Sequence, residues 1–214
     1  MTEETNTREP WDVLDAAFVA GSTTPEGLPP PALSEVAFAG RSNVGKSSAM
    51  NLLLQRRGLV RTSSTPGLTR AVNLFRARLR SGLELQLVDL PGYGFAKRSK
   101  GEKAQWGRLL EGYLRARPTL RAVIVLVDAR RGPEEEDLGL LDFCALPRVG
   151  APPLTTIIAA TKLDLVPKAK RKPALETIAK RAGRRVVGMS AESGEGRAEL
   201  WRAIERAVLG PTPA

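Results

Sequence analysis

The sequence predicts an α/β fold: a mostly parallel six-stranded sheet with one antiparallel strand and helices on both faces. Three observations carry that expectation. From residue 36 onward, short apolar runs alternate with longer stretches of helical spacing, the order that builds a parallel sheet through crossover helices. Residues 123–127 are apolar and mostly β-branched with no alternation, as a strand buried on both faces must be. Residues 72–79 and 83–88 are separated by little more than Ser81-Gly82, a hairpin turn that needs neighbouring strands of opposite sense.

Each segment follows from its residues. Residues 1–21 read as an acidic, weakly helical arm with Trp11, Val13, Leu14 and Phe18 as candidate anchors. Residues 22–32 hold Pro25 and Pro29-Pro30-Pro31, which can join neither a helix nor a ladder, and read as a linker. Residues 1–33 are therefore set apart as arm and linker, 34–209 as the folded domain and 210–214 as a frayed tail. Within the domain, residues 36–39 form a short buried strand, followed by a Gly-rich loop and a helix from Lys46 to Leu54. After the hairpin, 102–115 suit a helix and 123–127 a strand. A helix over 133–146 opens at Pro133 with Glu134, Glu135, Glu136 and Asp137 in its first turn, where unpaired amides favour anions. Residues 155–160 make another buried strand, 168–181 a basic helix, 186–190 a strand and 195–208 a helix. Trp106, Trp201 and Cys144 lie at apolar helical positions and read as core.

Composition excludes much chemistry. The 214 residues contain no histidine and one cysteine, Cys144. Ser-His-Asp and Cys-His pairs, a His/Cys zinc site and an intramolecular disulfide are all ruled out. The cysteine usage fits a reducing compartment. The formal net charge is +10, unevenly spread. Residues 1–35 hold seven carboxylates against Arg8 alone, which leaves 32 basic and 16 acidic groups on the remaining chain. Such a body attracts polyanions: a ribonucleoprotein first, an anionic membrane surface second. Arg-rich, solvated helix faces are the plainer explanation of the same charge. The start is acidic and has no apolar leader-like stretch, and the longest purely apolar run, 122–127, has strand length. The expectation is a cytoplasmic monomer with no membrane insertion.

Three motifs carry chemistry. Gly40-Arg41-Ser42-Asn43-Val44-Gly45-Lys46-Ser47 matches G-x-x-x-x-G-K-[ST] between an expected strand and an expected helix, the context that pattern requires. Its glycines let backbone amides converge on phosphate oxygens and the helix N-terminus adds its positive end. Lys46 would reach the β- and γ-phosphates, and Ser47 offers a hydroxyl to Mg²⁺. Asp89-Leu90-Pro91-Gly92 follows the second hairpin strand. Asp89 can hold Mg²⁺ through water and Gly92 can present its amide to a γ-phosphate, although D-x-P-G is also good turn chemistry. Thr161-Lys162-Leu163-Asp164 follows the strand at 155–160. A fixed Asp164 carboxylate accepts the two hydrogens of guanine N1 and its 2-amino group, whereas adenine would leave it unpaired. Lys162 can lay its stem over the base, and Met189-Ser190-Ala191, at the end of the next strand, can bring backbone to the guanine O6. A helix N-cap explains Asp164 almost as well in isolation; the sequence order of the three motifs favours GTP and GDP.

In order and spacing these motifs resemble those of Ras-like, translation-factor-related GTPases. Three strings resemble the EngB family of bacterial GTPases more closely still. They are Gly40-Arg41-Ser42-Asn43-Val44-Gly45-Lys46-Ser47-Ser48, Thr62-Ser63-Ser64-Thr65-Pro66-Gly67-Leu68-Thr69, and Asp89-Leu90-Pro91-Gly92-Tyr93-Gly94-Phe95-Ala96-Lys97, with Trp106-Gly107 beyond. The resemblance covers about residues 34–208 and leaves the acidic arm outside. It implies a Ras-like P-loop GTPase domain that acts in assembly of the large ribosomal subunit and is needed for normal cell division and septation. It also implies that Thr69 closes on Mg²⁺ in the GTP state, with Gly67, Leu68, Arg70 and Ala71 lining the nucleotide. Lys46, Thr69 and Gly92 are the catalytic candidates, and Ser47 and Thr69 the metal ligands. Two departures stand out: Thr161 occupies a position where many GTPases have Asn, so a hydroxyl must serve in place of an amide, and Leu68 replaces a residue that is often basic.

The water-orienting Gln that follows D-x-x-G in Ras-like proteins is here Tyr93, so slow intrinsic hydrolysis is expected, with a partner completing the site. Lys97, Arg98 and Lys100 could steady charge; a solvated basic loop accounts for them equally well. Asn43 is a candidate K⁺ ligand against the phosphates, or an Asn chosen for its turn geometry. Arg56, Arg57, Arg61, Arg70, Lys97, Arg98, Lys100 and Lys103 fall in the segments that should respond to the γ-phosphate, which favours an RNA-containing partner such as the large ribosomal subunit or its precursor. Lys168, Lys170, Arg171, Lys172, Lys180, Arg181, Arg184 and Arg185 form a second basic cluster that suits RNA phosphates or a solvated face. A competing function is a nucleotide-sensing binding protein of the division machinery. A P-loop ATPase or kinase fails on Asp164.

Overall fold

Seven strands form a single sheet in the order β1-β3-β4-β2-β5-β6-β7. The strands are β1 (Val13–Ser22), β2 (Glu35–Gly40), β3 (Val72–Leu79), β4 (Glu84–Asp89), β5 (Leu120–Asp128), β6 (Thr155–Thr161) and β7 (Val186–Gly188). The helices are α1 (Lys46–Leu54), α2 (Lys100–Ala116), α3 (Glu135–Ala145), α4 (Lys168–Ala182) and α5 (Arg197–Leu209). This computed structural model describes residues 8–61, 71–93, 100–148 and 150–210, with 100–106 described by their backbone alone. β3 pairs antiparallel with both β1 and β4, while β4, β2, β5, β6 and β7 pair parallel in turn. One strand therefore runs against the other six, as the hairpin at Ser81-Gly82 requires.

The core lies on both faces of the sheet because residues alternate sides along each strand. On one face Val36, Phe38, Leu87, Ile124 and Leu126 pack with Met50 and Leu53 of α1 and with Leu200, Trp201 and Ile204 of α5. On the other Ala37, Val88, Val123 and Val125 pack with Tyr113 and Leu114 of α2, Leu140, Leu141 and Cys144 of α3 and Ile178 of α4. Trp201 and Cys144 are buried, as expected from their helical positions; the side chain of Trp106 lies outside the described residues.

The N-terminal arm departs from expectation. Its weak helical reading is replaced by the ten-residue strand β1, which adds a seventh strand to the six expected. The exposed backbone edge of β3 needs hydrogen-bond partners, and β1 supplies them across about sixty residues of sequence, a long-range pairing that local spacing does not declare. Two register shifts, between Val13 and Asp15 and between Phe18 and Ala20, break the period-2 pattern that would have marked the strand. Val13 is buried and its amide donates to Gln55 Oε1 at 2.7 Å, while Leu14 and Phe18 remain 43% and 54% exposed. Asp12 accepts from Arg197 Nη2 at 2.8 Å, tying the start of the strand to α5. The linker holds one short 3₁₀ turn, Pro25–Gly27, capped by Thr24.

Other differences are small. α3 starts at Glu135 rather than Pro133, because Glu134 is its N-cap: Glu134 and Asp137 form a reciprocal capping box. β7 ends at Gly188, two residues early, since Ser190 turns into a network that serves the loop beside it. Among the described residues no helix is long and apolar enough to cross a membrane.

Candidate nucleotide site

The C-terminal ends of the parallel strands carry all three motifs, the usual place for a ligand on an open α/β sheet. β2 ends at Gly40 and α1 starts at Lys46. Between them the chain curls through left-handed conformations at Asn43 (φ 61°) and Gly45 (φ 101°). Asn is among the few non-glycine residues common in that region, which gives Asn43 a conformational reason for its place. Gly40 is required by close approach: a Cβ there would stand 2.9 Å from Val44 Cγ1 and 3.1 Å from the Leu126 carbonyl. Lys46 at the first turn of α1 forms an ion pair with Asp89 at the end of β4, and both side chains are nearly enclosed. Ser47 follows in the same first turn.

The second motif lies directly against this loop. Leu90 N donates to Phe38 O at 3.0 Å, Tyr93 N to Gly40 O at 3.4 Å and Ser42 N to Tyr93 O at 3.2 Å. Leu90-Pro91-Gly92-Tyr93 thus continues the β2–β4 pairing into the loop. Gly92 sits so close that a Cβ would lie 3.3 Å from Ser42 Oγ and 3.4 Å from Gly40 O.

The third motif is braced to the first. The buried Thr161 hydroxyl lies 2.5 Å from the Val44 carbonyl and 3.1 Å from the Val127 carbonyl, so its single proton ties the phosphate loop and β5 to the end of β6. The hydroxyl thus supplies the bracing expected of an amide at this position. Lys162, itself left-handed (φ 58°), donates to the Asn43 carbonyl at 2.7 Å and lies 3.2 Å from Asp128 Oδ2. Arg130 and Lys162 together hold the Asp128 carboxyl well below its usual range, the hydrogen bond from Arg130 being the larger cause. Asp164 is oriented from behind. Ser190 Oγ donates to its Oδ1 at 2.6 Å while accepting from the amides of Glu192 and Ser193, both at 3.2 Å. Leu163 and Met189 lie in the core beneath, joined by a bond from Leu163 N to Met189 O at 3.1 Å. Ala191 is exposed on the rim.

The structure therefore gathers residues 40–47, 89–92, 161–164 and 189–191 on one rim of the sheet, with Ala71 half-buried just before β3. Gly67, Leu68, Thr69 and Arg70 lie outside the described residues, as do the side chains of Lys97, Arg98, Lys100 and Lys103. Three contributors escaped the sequence reading. Asp128 supports Lys162, Glu134 pairs with Arg41 of the phosphate loop, and Asp137 accepts from the Tyr93 hydroxyl at 2.6 Å. An Asp closing a strand buried on both faces was a usable signal for the first; the other two depend on where α3 is placed. Among the described residues no group of three or more His, Cys, Asp or Glu could hold a metal ion by itself.

Comparison with known proteins decides the family. Residues 35–162 match the model of the 50S ribosome-binding GTPase family. The probable GTP-binding protein EngB of Geobacter metallireducens is 47% identical over 196 residues, covering 90% of this chain and 92% of that one. This chain belongs to the EngB family of P-loop GTPases. The crystal structure of a probable EngB superimposes with a TM-score of 0.62 at 21% identity, over 83% of this chain and all of that one. Era, in complex with MgGDPNP and nucleotides 1506–1542 of 16S ribosomal RNA, superimposes with a TM-score of 0.67 at 23% identity, over 86% of this chain and 59% of that one. At those identities the two structures establish the shared fold alone: a mixed, mostly parallel sheet with helices on both faces.

Proposed function

We propose that this EngB-family chain is a guanine-nucleotide switch that hydrolyses GTP slowly with Mg²⁺ and acts in assembly of the large ribosomal subunit in the cytoplasm. The observation that carries the nucleotide reading is the Asp164 carboxylate, held by Ser190 on the same rim as the phosphate loop and joined to it through Thr161. That geometry presents a fixed acceptor to the two hydrogens of guanine. Gly40, Arg41, Ser42, Asn43, Val44, Gly45, Lys46 and Ser47 form the phosphate cradle, Thr161, Lys162, Leu163 and Asp164 the base loop, and Met189, Ser190 and Ala191 its support. Asp89, Leu90, Pro91 and Gly92 would approach the γ-phosphate, and Gly67, Leu68, Thr69, Arg70 and Ala71 are the further nucleotide-lining residues that the family resemblance adds.

The ion pair of Lys46 with Asp89 bears on the metal. Two groups that serve phosphate and Mg²⁺ already face each other, so phosphate drawing Lys46 away would free the Asp89 carboxylate. A hydroxyl, a nearby carboxylate and phosphate oxygens are the hard donors that suit Mg²⁺, and Ser47 and Thr69 would hold it. The ion, when bound, neutralises charge that develops on the β- and γ-phosphates. Lys46 and the Gly92 amide would stabilise the transferring group. Tyr93 offers no substitute for the water-orienting Gln, since its ring is buried, and hydrolysis is accordingly slow. Asn43 is the proposed neighbour of a stimulating K⁺. Hydrolysis that runs equally fast in K⁺ and Na⁺ buffers would remove that element alone.

The ribosomal role is supported by the family description and by the basic body. The cluster on and just after α4 is a weaker indication. Arg171 is engaged by Glu195 at 2.7 Å and Arg185 by Glu199 at 3.2 Å, while Lys168, Lys170 and Lys172 are exposed. Normal septation and division would follow from ribosome supply. Sedimentation of the tagged chain through ribosome gradients, with a non-hydrolysable GTP analogue and then with GDP, tests the role. Migration with large subunits or their precursors only in the triphosphate state is expected. Absence from all ribosomal fractions at low salt would overturn the ribosomal reading and leave the nucleotide site standing.

A further inference from the structure

Tyr93 directly follows the glycine expected to meet the γ-phosphate, yet its side chain belongs to the core. It is 6% exposed, and its hydroxyl donates to Asp137 Oδ1 at 2.6 Å. Asp137 is 2% exposed, and its other oxygen accepts from Glu134 N at 2.8 Å in the capping box of α3. A carboxylate taken this far from water costs free energy unless its oxygens are satisfied, and here the helix cap and the phenol satisfy them. Burial pushes the Asp137 carboxyl above its ordinary range and the Tyr93 phenol well above its own.

The backbone on either side of this phenol is equally committed. Tyr93 N donates to Gly40 O, and Tyr93 O accepts from Ser42 N. Gly92 is thereby held close to the loop, where an added Cβ would already touch Ser42 and Gly40. A second link arises from the same turn of α3: the Arg41 guanidinium pairs with Glu134 and lies 3.7 Å from Glu136. One helical turn thus grips the phosphate loop through Arg41 and the Gly92 segment through Tyr93. The acidic first turn, which dipole complementarity alone would explain, has two further uses.

We propose that the first turn of α3 is a positioning element for the γ-phosphate, in which Asp137, through the Tyr93 hydroxyl, fixes the Gly92 amide against the phosphate loop. This rests on the reading of the rim as a GTP site. It bears on the difference between two nucleotides: GDP lacks the γ-phosphate that Gly92 would meet, and GTP carries it. Loss of the Tyr93–Asp137 bond therefore weakens triphosphate binding and leaves diphosphate binding intact.

Tyr93→Phe keeps the ring in the core and removes only the hydroxyl. Affinities of the full chain for GDP and for a non-hydrolysable GTP analogue, by calorimetry, are the readout, with single-turnover hydrolysis beside them. The expected result is GDP affinity within about twofold of the parent and analogue affinity lower by about tenfold, the scale of one hydrogen bond. Asp137→Asn leaves one acceptor oxygen for the Glu134 amide of the cap and turns an NH₂ toward the Tyr93 oxygen, which must then accept, and it should show the same selective loss at a smaller size. It provides the measurement if the phenylalanine variant does not fold. Equal losses for both nucleotides, or no loss for either, would overturn the proposal while the GTP site stands. A parent chain that binds neither guanine nucleotide would overturn the site reading and the proposal with it.

Discussion

Replacing Thr161 by Val swaps a hydroxyl for a methyl of nearly the same shape at the joint between two loops. Thr161 is 4% exposed, so water cannot take the place of the lost donor. The hydroxyl lies 2.5 Å from the Val44 carbonyl, whereas carbon–oxygen contacts settle at about 3.3–3.6 Å. The phosphate loop must therefore retreat at Val44 by about 1 Å. Loss of one net hydrogen bond costs about 1 kcal/mol, and a buried carbonyl left without a donor costs about 1–3 kcal/mol more. A total of roughly 2–4 kcal/mol corresponds to a melting point lower by about 4–16 °C for a domain of this size. Because Val44 sits inside the proposed phosphate cradle, GDP affinity should fall as well, by roughly tenfold if one loop contact is lost. Thr161→Ser keeps the hydroxyl and holds both values near the parent's. Thermal unfolding of the nucleotide-free chain and GDP calorimetry measure the two effects. A valine variant with the parent's melting point and GDP affinity would refute the idea that this hydroxyl braces the loops.

Further expectations follow from other contacts. Asp164→Asn exchanges an acceptor for a donor at one position, so guanine affinity should drop by two orders of magnitude or more on the scale of about 10⁴–10⁵ for such mismatches. Xanthine nucleotides, which carry a carbonyl in place of the 2-amino group, should gain, and competition against labelled GDP reads both. Arg117→Ala strands Glu35, a fully buried carboxylate that Arg117, Tyr113 and Thr119 otherwise satisfy, and should cost about 3–5 kcal/mol in denaturant unfolding. Burial pushes the Cys144 thiol up to about 12, so a thiol reagent at pH 8 should label it only after unfolding. The sign of the linked effect is fixed: the folded thiol binds its proton more tightly, so this group's contribution to stability is lost as pH rises from about 9 toward 12. Asp12 has the opposite sense. Its carboxyl is lowered chiefly by the hydrogen bond from Arg197, so the destabilisation of Asp12→Asn should be present at pH 7 and vanish as pH falls below the ordinary carboxyl range.

What local spacing could express, it expressed. α1 runs from Lys46 to Leu54 as its residues foretell, because a phosphate loop must end in a helix and the apolar spacing continues it. β5 and β6 are visible because a strand covered on both faces has no room for polar alternation. The phosphate loop, the base loop and their order were legible because each needs a few residue types at fixed spacing. β1 was not, because its stability comes from the edge of β3, far along the chain, and two bulges erase its alternation. The same holds for the residues that support the site. Asp164 could be named from its motif, but that Ser190 aims it, that Thr161 ties it to Val44 and that Asp137 takes the Tyr93 hydroxyl are facts of packing. Sequence by itself named the groups proposed to meet a nucleotide, since that chemistry is local. Only the tertiary structure decided what holds those groups still, since each brace joins elements that no periodicity connects.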